Sequence, residues 1–188
     1  MTETLLFHHA QGRTPGLLAF ADRWRAAGHA VHTPDLFDGA TFDSVAEGVA
    51  HARSLGFDEI IRRGVATAQK LPARLVYAGF SLGALPAQAL AQRRAGAAGA
   101  LLLHSAVPTA EFGCPWPAGV PMQVHVMADD PWEDAQSLAG VVEEIDGGEL
   151  FLYPGNGHLF ADSGSADYAE EAATLLTERT LAFLGRVA

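Results

Sequence analysis

At 188 residues with a formal net charge of −10, the chain is long enough to bury a substantial core and repels polyanions, which argues against nucleic acid and anionic membrane as partners. Its single cysteine, Cys114, excludes an intrachain disulfide and any cysteine-rich metal site. No run approaches the roughly 20 apolar residues that span a bilayer, and the opening MTETLLFHHAQG lacks the basic start and long apolar run of a signal peptide, so a soluble protein of the reducing cytoplasm is expected.

In chain order, the first apolar run, Leu5–His9, reads as a strand and is followed by the loop FHHAQGRT. A helix is predicted over 15–27, where Leu17, Leu18, Phe20, Ala21 and Trp24 share one stripe and Gly28 can end the element. A strand at Ala30–Thr33 follows, then a helix at 56–70 and a strand at Arg74–Ala78. The pattern continues with a helix at 82–95, strands at Ala100–His104 and Met122–Met127, a helix at 133–145, a strand at Leu150–Tyr153 and a helix at 165–186. The strands are almost continuously apolar, as expected when both faces are covered. Repeated alternation with helices predicts one α/β domain over 1–188: a mostly parallel sheet of about six strands with helices on both faces. Sites in such sheets lie at the carboxyl ends of the strands.

One turn stands out against that rule. Gly79-Phe80-Ser81-Leu82-Gly83 joins a predicted strand to a predicted helix and matches the G-x-S-x-G nucleophile elbow. A serine on so tight a turn holds strained backbone angles, and side chains two positions either side would collide with the strand and the helix. Ser81 could otherwise be a helix N-cap in a chance turn. An alcohol needs a base, usually a histidine oriented by a carboxylate. Asp129 and Asp130 follow the Met122–Met127 run, and His158 follows Leu150–Tyr153 in YPGNGHLF, so the order Ser, Asp, His holds along one sheet edge. Asp130 precedes Pro131, which favours an extended loop, whereas Asp129 could cap the following helix; Asp130 is the preferred orienter. An oxyanion would take the Leu82 N–H and a second donor from the loop after the first strand, with Gly12 or Arg13 as candidates.

Other residues carry weaker signals. His8, His9, His32, His104 and His125 lie in or near strands, but no pair is set on a helix face, so paired or core histidines are expected and no metal or cofactor. Phe37, Phe112, Trp116 and Trp132 fall in loops after strands and are candidates either to wall a substrate pocket or to cover the core's edge.

With these residues in view, the chain resembles the dienelactone hydrolase family of α/β-hydrolases over nearly its whole length. The marks are the opening strand with HHAQG, the helix leading into HTPDLFDG, the elbow GFSLGA, the DDP after a later strand, and YPGNGHLFAD near the end. The resemblance implies a triad of Ser81, Asp130 and His158, oxyanion donors at Leu82 and in the loop after HHAQ, and a compact hydrolase without a large cap domain. The family's name-giving lactonases use cysteine at the elbow, where this chain has Ser81, and a glutamate after the AQ, where this chain has Gly12. Both departures suit a serine esterase. The expected function is therefore hydrolysis of a small carboxylic ester or lactone through an acyl-enzyme. A non-catalytic small-molecule-binding member of the fold is the alternative.

Overall fold

A computed structural model describes all residues, 1–188. Six strands form one wholly parallel sheet: β1 (Glu3–Phe7), β2 (Ala30–His32), β3 (Val76–Phe80), β4 (Gly99–Leu103), β5 (Met122–Met127) and β6 (Gly148–Tyr153), in the order β2-β1-β3-β4-β5-β6. Six α-helices accompany them, the last following β6: α1 (Pro15–Ala26), α2 (Val45–Leu55), α3 (Phe57–Ala68), α4 (Ala84–Arg93), α5 (Ala135–Glu143) and α6 (Glu170–Arg186). Every predicted strand is present, with ends displaced by no more than two residues.

Alternation along each strand sorts side chains onto two cores. In β3, Tyr77 joins the core beneath α3 and α4, while Val76, Ala78 and Phe80 face the core shared with α1 and α6. That second core buries most of the predicted α1 stripe: Leu17, Phe20, Ala21 and Trp24 are fully enclosed, Leu18 is only half-buried at its margin, and the Trp24 indole N–H donates to Thr180 Oγ1 at 3.1 Å. Thr14 caps α1 by accepting the Leu17 N–H, and Pro15 occupies the first turn, where its missing donor costs little. No helix is long and apolar enough to cross a membrane.

The helix α2 was not foreseen. Its inward residues are Gly48 and Ala52, too small to write an apolar stripe. Their smallness is the point of contact, since a Cβ on Gly48 would lie 1.9 Å from the Ala10 carbonyl oxygen. The helix thus lies directly against the loop that follows β1.

Strand order decides where a site can form. The chain runs from β1 outward to β2, then returns to β3 on the other side of β1, so β1 and β3 flank the reversal. Connections diverge there and leave a crevice at the carboxyl ends. The loop after β1 and the elbow after β3 both open onto it.

Candidate active site

Ser81 directly follows β3, in a single 3-10 turn that leads into α4. Its φ of +49° is in the left-handed region, a strain of about 1–3 kcal/mol for a residue with a side chain. The flanking glycines make it possible. A Cβ on Gly79 would lie 2.0 Å from the Gly83 carbonyl oxygen, and one on Gly83 would lie 2.5 Å from that of Phe7. Neither the turn nor α4 has a side-chain cap, so Ser81 is not serving as an N-cap. Its hydroxyl instead donates to His158 Nε2 at 2.7 Å.

The imidazole is held from behind. His158 Nδ1 donates to Asp130 Oδ2 at 2.8 Å, and Asp130 Oδ1 accepts the Trp132 N–H at 2.9 Å. Both side chains are buried. The loops that carry them continue the β5–β6 pairing past the strand ends: Ala128 N–H donates to the Tyr153 carbonyl and Asp129 N–H to that of Gly155. Asp129 is exposed and neither contacts His158 nor caps α5, whose cap is Asp134. The structure thus brings Ser81, His158 and Asp130 together across 77 and 28 residues of chain.

Around this relay lie groups of distinct character. His104, fully buried at the end of β4, packs against Phe160, Phe80 and the His158 ring with centroids 4.6, 5.0 and 6.2 Å apart. Neither of its ring nitrogens has a partner, and burial pushes its pKa well below the usual imidazole range. It is a neutral wall behind His158. Glu133 is half-buried nearby, and burial pushes its carboxyl up to about 7, against the Ser105 hydrogen bond and the His158 charge, which lower it. The Trp132 ring is 5.9 Å from His158 and 49% exposed, so it borders the open side.

The loop after β1 needs a correction. The Gly12 N–H donates to the His9 carbonyl at 3.0 Å, and Gly12 itself leans on the backbone of Ala40 and Thr41. Arg13 is exposed, with its guanidinium on the Thr33 carbonyl. The Gly12 N–H is thus spent within the turn, while the backbone N–H of the exposed Arg13 makes no bond. The part of the loop beside the elbow is earlier, since a Cβ on Gly83 would lie 2.7 Å from the His8 carbonyl oxygen. Two residues on, the buried Ala10 has an N–H that bonds to nothing. No sequence signal distinguishes it, because alanine offers only its backbone.

Three aromatic candidates lie elsewhere. Phe37 is in the core, 4.8 Å from the His8 ring and 4.9 Å from that of His51. Phe112 is buried, its carbonyl bonded by Arg93 at the far end of α4, and Trp116 donates its indole N–H to the Val120 carbonyl below β5. Phe112 and Trp116 cover core edges, and of the four aromatics Trp132 is the one whose ring lies beside His158.

The strand histidines are mostly paired. His8 accepts the Leu36 N–H at Nε2 and donates from Nδ1 to the His9 carbonyl, and burial lowers its pKa to about 4. His32 meets Glu3, and His125 meets Tyr153 and Gln123, with burial taking the latter imidazole down to about 3. His9 contacts Asp162 at 2.6 Å, a buried pair that the sequence did not announce. No group of three or more His, Cys, Asp or Glu side chains converges as a metal-binding set.

Several solved structures share this architecture. Alpha/beta hydrolase domain-containing protein 10 from mouse superposes with a TM-score of 0.75 at 12% identity, covering 99% of this chain and 90% of that one. A dienelactone hydrolase-like promiscuous phosphotriesterase from metagenomic libraries gives 0.73 at 18% identity over 100% and 87%. Dienelactone hydrolase from Anabaena variabilis gives 0.72 at 17% identity over 98% and 86%. At such identities these likenesses establish the fold. No curated protein matches the sequence. The sequence model of the dienelactone hydrolase family matches residues 4–188, nearly the whole chain, and the protein belongs to that family of hydrolases.

Proposed function

We propose that the protein is a serine hydrolase that cleaves a small carboxylic ester or lactone through an acyl-enzyme. The observation that carries this reading is the unbroken relay from Ser81 Oγ to His158 at 2.7 Å and from His158 to Asp130 at 2.8 Å, with Ser81 held in a strained elbow.

Ser81 Oγ attacks the carbonyl carbon as its proton passes to His158 Nε2, and Asp130 holds the Nδ1 proton and stabilises the imidazolium. The oxyanion accepts from the Leu82 N–H, at the positive end of α4, and from the unbonded Ala10 N–H. As the intermediate collapses, the C–O bond to the leaving oxygen breaks and His158 returns its proton to that oxygen. Water then loses a proton to His158 and attacks the acyl carbon; the bond from that carbon to Ser81 Oγ breaks, and His158 returns the proton to Oγ as the acid leaves. Trp132 borders the entering substrate. The chain is read as one domain acting in the cytoplasm.

The test is turnover on a panel of short p-nitrophenyl esters, lactones and one phosphotriester, the last because a structural relative is named a phosphotriesterase. Ser81→Ala is expected to lower kcat by about 10⁴ or more on whichever substrate the parent accepts. Retention of most of the parent's activity would refute the assignment, and a parent inert on the whole panel would favour a binding protein.

A further inference from the structure

The relay does not use a second buried histidine–aspartate pair, which lies beside it. His9 Nε2 and Asp162 Oδ2 are 2.6 Å apart, with side chains 0% and 1% exposed. Thr14 Oγ1 donates to the same carboxylate oxygen at 2.6 Å, and the Gly164 N–H donates to Oδ1 at 2.7 Å. Gly16 leaves room for the cluster: a Cβ there would lie 1.6 Å from Asp162 Oδ1. Burial pushes the Asp162 carboxyl up, but the His9 and Thr14 hydrogen bonds outweigh it and hold it below its ordinary value.

The tautomer of His9 follows from its other nitrogen. Nδ1 lies 3.2 Å from the Gln11 backbone nitrogen, and a backbone N–H can only donate. Nδ1 is therefore bare, and the ring's proton is on Nε2, directed at Asp162. A neutral imidazole thus links an ionised carboxylate to the backbone of the loop after β1.

What this link fixes is the direction of three successive amides. The Gln11 N–H goes to His9 Nδ1, and the Gly12 N–H goes to the His9 carbonyl. Of these three the Ala10 N–H stays free, one residue from the ring that organises the turn, and unlike the unbonded Arg13 N–H it belongs to a buried residue. Asp162 belongs to the segment that carries His158, four residues upstream. A buried charged cluster contributes little net stability compared with apolar filling, so its chief effect here is on geometry.

We infer that His9 and Asp162 are positioning residues that lock the loop after β1 to the loop bearing His158, aiming the Ala10 N–H at the oxyanion. The inference rests on the ester-hydrolase reading above. His9 touches no reacting atom; it acts through the Ala10 peptide.

The test compares the parent with H9A, H9N and D162N, measuring kcat and KM on p-nitrophenyl acetate and the inhibition constant of a trifluoromethyl ketone, whose serine adduct carries an oxyanion. H9A should lower kcat by about 10²-fold, the loss of one oxyanion donor, and weaken the ketone by the same factor, with KM changed less than about threefold. H9N keeps an acceptor for the Gln11 N–H and should fall between H9A and the parent. D162N is isosteric, but its amide must turn an NH2 group on either the Gly164 N–H or the His9 and Thr14 donors, and should lower kcat about 10-fold. It carries the test if H9A fails to fold. An active parent whose variants lose thermal stability while kcat and ketone affinity hold would overturn this inference alone. A parent that neither hydrolyses esters nor binds the ketone would overturn the hydrolase reading and this inference with it.

Discussion

Asp130→Asn alters one atom and, through it, the protonation of the whole relay. Asp130 Oδ1 accepts the Trp132 N–H at 2.9 Å, and Oδ2 faces His158 Nδ1 at 2.8 Å. Because the backbone N–H can only donate, the asparagine carbonyl must take the place of Oδ1. Its NH2 group then faces Nδ1. Two donors cannot share a hydrogen bond, so the imidazole is driven to the tautomer with its proton on Nε2. That proton points at Ser81 Oγ, 2.7 Å away, and the hydroxyl loses its base. A wrong tautomer of this kind lowers turnover by about 10⁴ in a protease triad, roughly 5 kcal/mol of barrier. The assay is kcat on p-nitrophenyl acetate beside a urea unfolding curve, so that a change in stability is separated from a change in chemistry. Asp129→Asn is the control: Asp129 is exposed and is tied only by its own N–H to the Gly155 carbonyl, so kcat should stay within about twofold. A D130N enzyme retaining more than about a tenth of the parent's kcat, or a D129N enzyme losing more than D130N, would refute the reasoning.

Two further predictions concern stability. Burial raises Glu133 from 4.5 to about 7, so ionisation is disfavoured only in the folded chain, and stability falls as pH climbs through that interval. Glu133→Gln should therefore gain on the parent by on the order of 2 kcal/mol between about pH 5 and about pH 8, read from urea midpoints; an offset independent of pH would contradict this. At the elbow, Gly83→Ala sets a Cβ 2.5 Å and 2.7 Å from the backbone oxygens of Phe7 and His8, and α4 must move away. It should cost about 2–4 kcal/mol and most of the activity. Gly140→Ala, in α5 with nothing within 4 Å, should instead stabilise by about 0.5–1 kcal/mol. Equal effects of the two substitutions on the unfolding midpoint would refute the steric account.

What could be read from the sequence was what is encoded locally. Strands covered on both faces appear as short apolar runs, as in β1, β3, β4 and β5, and the partly exposed edge strands β2 and β6 still hold enough apolar residues to be visible. The elbow is legible because its signature fits within five residues: Gly79 is small to admit the backbone of Gly83, and Gly83 to admit that of Phe7 and His8. Asp130 and His158 were placed by the rule that strands of a parallel sheet end on one edge, and the two meet there. The helix α2 escaped because Gly48 and Ala52 make contact through the lack of a side chain. That Gly12 offers no free donor was not legible, because an N–H is defined by its peptide's direction, and Gly12 spends its own on closing the turn. Phe112 and Trp116 follow a strand in sequence, but their loop runs back along α4 to its far end, where Arg93 holds it. His9 and Asp162 are 153 residues apart and meet only through the strand order, which no local pattern specifies.

The central claim is that Ser81 is a nucleophile activated by His158. It is tested most directly by exposing the protein to a fluorophosphonate and mapping the adduct by peptide mass spectrometry. One phosphonyl group should be gained, on the peptide containing Ser81, and the labelling should disappear in Ser81→Ala and slow by orders of magnitude in His158→Ala. Ester hydrolysis that persists while Ser81 stays unmodified, or a label carried by another residue, would contradict the account.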